Sequence, residues 1–185
     1  MLELARCSVA VGLGRHLPPR APEHPAASAP LLEPRATFIT LELEGELRGC
    51  CGTIEPRRPL LHDVWYNAWA SAYADPRFLP VSGAEQAALE FTISVLTPLE
   101  PVCARSEAEL IAALEPGADG LVLASGPARA TFLPAVWQSL QDPREFVAHL
   151  RCKAGFSPSL PWSEITALRY RTETFTSAED AALAA

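Results

Sequence analysis

Between Phe38 and Leu43 the chain alternates apolar Ile39, Leu41 and Leu43 with polar Thr40 and Glu42, and a Glu44-Gly45 pair precedes a second extended run starting at Glu46. A period of two, closed by a two-residue glycine turn, is the pattern of a β-hairpin that buries one face. Such a chain must build antiparallel sheet. Leu89, Phe91, Ile93 and Val95 repeat the alternation and predict a third strand over 89–96. The β-prone runs 120–124 and 129–133, joined by Ser125-Gly126-Pro127, predict a second hairpin, and a last strand is expected over 168–175.

Helical signals interleave with these strands. Leu2, Ala5, Val9 and Leu13 fall on one helical face, and Pro59 opens an apolar and small-residue stretch that Asp75-Pro76 stops after Ala74. Ser82 with Glu85 and Ser106 with Glu109 have capping-box spacing, the first ahead of a short helical turn, the second ahead of a helix ended by Pro116-Gly117. Asp142-Pro143-Arg144-Glu145 supplies an N-cap, a first-turn proline and an acidic N3 residue for a helix reaching Lys153 and terminated by Gly155. Helices among hairpins predict an α+β fold, a mostly antiparallel sheet flanked by helices. Prolines at 18, 19, 22, 25 and 30 predict a surface loop over 18–35, and the alanine-rich tail 176–185 is expected to fray.

The 185 residues, 49% of them hydrophobic, are enough for one domain over 1–185 with a substantial core. A formal charge of -7 opposes binding to a phosphate backbone, so nucleic acid is not expected as a partner. No apolar run reaches membrane-spanning length, and Glu3 stands where a secretory signal wants positive charge, so a cytoplasmic protein is expected. The 5 cysteines are odd in number and unspaced for a disulfide framework. Without CxxC or HExxH no metal site is expected, and neither a dinucleotide fingerprint, a P-loop nor a GxSxG elbow is present.

Chemistry concentrates in Leu47-Arg48-Gly49-Cys50-Cys51-Gly52-Thr53, where two glycines flank two thiols beside a guanidinium. Glycine in a strand marks a bulge or a close backbone approach. Exposed N–H groups beside Arg48 would favour a thiolate at Cys50 or Cys51, or bind a carboxylate or phosphate. The bland alternative makes the cysteines small hydrophobes on a buried face. Alternation points Cys50 and Cys51 to opposite sides. Asn67, Ser71 and Asp75 recur at helical spacing and can share a face, while Asp75 can also cap its turn and pair with Arg77. His62 beside Asp63 offers a base but reads first as surface or partly buried structure, and the His149, Cys152, Lys153 cluster, which would bind metal only with a ligand from elsewhere, reads first as a solvated helix face.

The run from Leu47 to Thr53 resembles the LRGCIGT signature of the AMMECR domain family, known in bacteria as the AmmeMemoRadiSam system protein A family. Further matches occur in order at Pro59-Leu60, Val64, Asn67-Ala68, Asp75-Pro76-Arg77-Phe78, Ile93 to Pro98, Asp119-Gly120-Leu121, Thr131 to Pro134, Val136-Trp137 and Lys153-Ala154-Gly155. The resemblance implies an α+β fold with a larger and a smaller lobe forming a cleft to which the signature strand contributes. It implies association with a Memo-like protein and a radical S-adenosylmethionine enzyme, and supplies no established reaction or cofactor. Interest passes to Arg48, Gly49, Cys50, Gly52, Thr53, Asn67, Asp75, Arg77 and Lys153. Cys51 departs from the family's isoleucine, and Thr92 stands where many relatives carry glutamate. The resulting expectation is a cleft enzyme or enzyme component with Cys50 and Asp75 as catalytic candidates. In it Cys50 is a nucleophile or redox thiol, Arg48 and Arg77 hold a small anionic group, and Asn67 and Asp75 orient the partner. The alternative is a noncatalytic binding or scaffold module in which Cys50 fills the core and Arg48 pairs with Asp75.

Overall fold

The computed structural model describes residues 1–23 and 27–177; His24 and Pro25 of the expected loop, and the expected frayed tail from 178 on, lie outside them. The chain forms two compact units, one of Met1–Leu96 with the segment from Glu173, the other of Thr97–Thr172.

In the first unit, α1 (Leu2–Gly12) and the short α2 (Ala29–Leu32) precede the hairpin of β1 (Thr37–Leu43) and β2 (Glu46–Gly52), followed by α3 (Leu60–Tyr73) and β3 (Leu89–Leu96). Glu44 and Gly45 both take positive φ, as the predicted two-residue turn requires. β1 pairs antiparallel with β2 and with β3. The alternating residues converge as expected: Ile39, Leu41, Phe91, Ile93 and Val95 meet Val64, Ala68 and Ala72 of α3 and Ala5 and Val9 of α1 in one core. Leu13 departs from its expected buried face because α1 ends at Gly12 and the extended cap turns Leu13 outward. Ser82 and Glu85 do close a capping interaction, Glu85 accepting from Ser82 N–H at 2.7 Å, but the helix beyond them is a single 3-10 turn over Gln86–Ala88.

The second unit comprises β4 (Glu100–Pro101), α4 (Glu107–Ala113), β5 (Gly120–Ser125), β6 (Ala128–Phe132), α5 (Pro143–Lys153) and β7 (Thr166–Tyr170). Ser106 and Asp142 cap α4 and α5 by accepting from Glu109 N–H at 3.2 Å and Arg144 N–H at 2.8 Å. The sheet order is β4-β7-β5-β6, with antiparallel pairing throughout. Its own core gathers Leu121, Leu123, Trp137, Phe146, Val147 and Leu150, with Trp137 stacked on Phe146 at 3.8 Å between centroids.

The single strand expected over 168–175 is two. β7 belongs to the second sheet, while β8 (Thr172–Thr176) completes the first sheet, whose order is β2-β1-β3-β8. The chain changes sheet at Arg171, where Arg171 N–H donates to Thr97 Oγ1 at 2.9 Å and Thr97 N–H donates to the Arg171 carbonyl at 2.8 Å. A pattern of period two reads the same on either side of such a change.

Candidate functional site

β2 is an edge strand, so its outward N–H and C=O groups need partners other than a neighbouring strand. α3 provides them. Asp63, Asn67 and Ser71 recur every four residues along the helix and form a buried polar stripe, which Asp75 extends just beyond the helix end. Asp75 Oδ2 accepts from Cys50 N–H at 2.9 Å, Ser71 Oγ accepts from Cys51 N–H at 2.9 Å, and Arg77 donates to the Cys50 carbonyl at 3.3 Å. Ser71 also donates to the Ile39 carbonyl at 2.7 Å, tying α3 to β1.

Gly49 makes that fastening sterically feasible, and Gly52 makes room for β1. A Cβ on Gly49 would stand 2.1 Å from the Ser71 carbonyl oxygen, and one on Gly52 would stand 2.4 Å from the Phe38 ring. The predicted bulge is also present: Leu41 faces Gly49 and Glu42 faces Leu47, leaving Arg48 as the extra residue.

Arg48 is committed elsewhere than to Asp75. Its Nε donates to Glu85 at 2.7 Å and its NH1 to the Leu79 carbonyl at 2.9 Å, so it fixes the loop after α3. Asp75 pairs instead with Arg77 at 2.6 Å, and its Oδ1 caps the turn by accepting from Arg77 N–H at 3.1 Å. The Arg77 bond, with the N–H groups of Cys50 and Arg77, holds the Asp75 carboxyl well below the ordinary carboxylate range against the opposing effect of burial. The expected Arg48–Asp75 pair is thereby corrected, because the bulge sends Arg48 toward Glu85.

Thr53 and Asn67 serve a group that did not figure among the expected site residues. Asp63 is fully buried; its Oδ2 accepts from Thr37 N–H at 2.9 Å, Thr53 Oγ1 at 2.9 Å and Asn67 Nδ2 at 2.8 Å, and its Oδ1 accepts from Arg58 at 2.8 Å. Continuing the Asn67, Ser71, Asp75 spacing one turn backward would have found Asp63. Arg58 and Thr37 carry no such signal, since each reaches the carboxylate from a separate element.

The two thiols part company as alternation predicts. Cys51 lies on the α3 side, and burial, then the nearby Asp75 and Cys50 charges, push its thiol up to about 11. That direction opposes thiolate formation at Cys51 near neutral pH. Cys50 faces the other side of the sheet, half-buried, its Sγ 3.5 Å from Thr40 Oγ1, which can donate to it. Thr40 in turn faces Thr92 on β3. The row Cys50, Thr40, Thr92 thus carries a thiol and two hydroxyls. Lys153 belongs to the second unit, at the end of α5; its Nζ donates to the Thr131 carbonyl at 3.0 Å and lies 5.0 Å from the Phe132 ring centre. Among the described residues no three His, Cys, Asp or Glu side chains converge to hold a metal ion, and no helix is long and apolar enough to cross a membrane.

Similarity to known proteins covers both units. A protein of Methanothermobacter thermautotrophicus is 37% identical over 147 residues, 76% of this chain and 74% of its own length. Protein MJ0810 of Methanocaldococcus jannaschii is 34% identical over 155 residues, 80% of this chain and 75% of its own. The crystal structure of the uncharacterised protein PH0010 from Pyrococcus horikoshii superposes with a TM-score of 0.84 at 30% identity, covering 94% of this chain and 88% of that one. The profile of the AMMECR1 family matches residues 2–175, from α1 to β8 and through the pinned signature strand, and the chain belongs to that family.

Proposed function

We propose that the chain is a component of a small-molecule or protein-modification step, with the outward face of β2 around Cys50 as its working surface and the Cys50 thiol as the group that meets the substrate. The observation that supports this is the fixing of Cys50: its N–H and C=O are held by Asp75 and Arg77 while its thiol stays half-buried on the outer face. A frame that removes backbone freedom from a side chain is what a reacting group requires. Arg77, 55% exposed at its side chain, stands beside it to meet an anionic group of the substrate. Asp75 and Asn67 hold the frame; with its oxygens bonded and its carboxyl kept ionised, Asp75 positions Cys50 and does not act as a base. A Memo-like protein and a radical S-adenosylmethionine enzyme are the proposed co-workers. The test is alkylation of Cys50 in native Cys51→Ala protein. Rapid labelling, blocked by an anionic substrate analogue and altered by Arg77→Ala, supports the reading; protection until global unfolding sinks it.

A noncatalytic docking role is the second reading, favoured by Leu79. Its side chain is 83% exposed on a loop that Arg48 clamps through the carbonyls of Leu79 and Pro80. An exposed leucine on a loop whose backbone is held suits a protein contact, because little backbone ordering entropy is lost on binding. If Leu79→Ala abolishes binding of a Memo-like protein while Cys50→Ser changes neither binding nor turnover of the joint pathway, docking replaces chemistry as the role.

A further inference from the structure

We propose that the second unit carries a separate site for a small zwitterion of the α-amino acid class. A cavity of about 310 Å³ in this unit is lined by Thr97, Glu100, Asp119, Arg169, Tyr170 and Arg171. At roughly 30 Å³ per water it holds about ten water volumes, the lower end of the range for ligand pockets. A small polar molecule fits.

Asp119 carries the inference. Its side chain is 2% exposed, and Oδ2 is secured by Glu115 N–H at 2.9 Å. Among the described residues Oδ1 has only Arg171 Nε at 3.6 Å, beyond hydrogen-bond distance. Oδ1 is not among the buried side-chain atoms left without a partner, so it is open to the cavity, where an entering ammonium group would add a charge-assisted donor.

The opposite charge is supplied by Arg169 and Arg171, both of which line the cavity where the chain leaves β7. Arg169 meets Glu100 at 3.4 Å with side chains 42% and 67% exposed, and Arg171, 60% exposed, meets Glu115, itself 64% exposed, besides its 3.6 Å approach to Asp119. Exposed pairs of this kind contribute little and exchange readily for a ligand carboxylate, which guanidinium groups bind in bidentate geometry. The cavity therefore offers a buried anion and two movable cations, which match the ammonium and carboxylate of one amino acid. A simple anion would meet Asp119 unfavourably, and a simple cation would meet both arginines unfavourably.

The experiment is a titration of the full chain, 15N-labelled and followed by amide NMR, with the proteinogenic L-amino acids, using acetate and methylammonium as single-charge controls. At least one amino acid is expected to shift the amides of Thr97, Asp119 and Arg169 to Arg171 saturably, at concentrations where neither control does. Arg169→Ala, at a partly exposed position outside the core, is expected to weaken that binding about tenfold, the loss of one charge-assisted contact. Asp119→Asn, which keeps an oxygen for Glu115 N–H, is expected to do the same with the spectrum otherwise folded. Equal binding of acetate, equal binding of methylammonium, or no saturable shift with any amino acid would each overturn the proposal. So would Arg169→Ala binding as tightly as the parent chain.

Discussion

At the scale of single residues, the signature strand is governed by close approach. The 2.1 Å separation between a Cβ at Gly49 and the Ser71 carbonyl involves backbone on both sides, so neither partner can rotate away. Gly49→Ala is expected to destabilise the fold by about 1–3 kcal/mol, the usual range for overpacking, read as a lower urea midpoint at an unchanged slope. The thiols make a second prediction. With Cys51 pushed up to about 11, its alkylation should be slow at pH 8 and should keep accelerating as pH rises toward that value. Peptide mapping after iodoacetamide should find Cys51 largely unmodified under conditions that fully label exposed Cys7 and Cys103; early modification of Cys51 would contradict the upward shift of its thiol.

Elements are joined by charged groups placed at their boundaries. Asp63 ties α3 to β1, to the residue after β2, and to Arg58, so Asp63→Ala strands several donors at once. A loss of about 3 kcal/mol or more is expected, as for other buried pairs that lose one partner, and thermal melting of the variant measures it. The Arg48–Glu85 pair ties the β2 bulge to the loop after α3, and Arg48 with Ser82 holds the Glu85 carboxyl down to about 2 from an ordinary 4.5. A carboxyl whose folded value is depressed stabilises fully above its unfolded value, and that contribution is lost as pH falls through the folded value. Stability should therefore decline below pH 4.5 and continue to fall toward pH 2. In Arg48→Met the part of this slope due to Glu85 should flatten, seen by urea titration at several pH values. A parallel curve for both proteins would mean that the pair has no energetic role.

Across the whole molecule, the two hydrophobic clusters share no residue, and each is drawn from its own unit. Thr97–Thr172 is one continuous segment running from the residue after β3 to the first residue of β8, its ends tied by the two bonds between Thr97 and Arg171. A segment with its own core and joined ends has what an independent domain needs. Expressed alone, residues 97–172 are expected to give a dispersed amide spectrum and a cooperative melt, though near the size where a single core is only marginally stabilising. A collapsed, undispersed spectrum would show that the second core depends on the first unit.

The sequence by itself determined the local elements: periods of two and 3.6, the Glu44-Gly45 turn, the caps at Ser106 and Asp142, and the signature glycines as places of close approach. These are legible because each is set by groups within a few residues of one another. The opposite facing of Cys50 and Cys51 was legible for the same reason. Tertiary structure alone decided which charges meet. Whether Arg48 would find Asp75 or Glu85 depended on a bulge that reorients one side chain. The burial of Asp63 required Thr37, Thr53 and Arg58 to arrive from three places in the chain. The division of 168–175 between two sheets was equally invisible, because alternation records which residues are buried and not which sheet buries them.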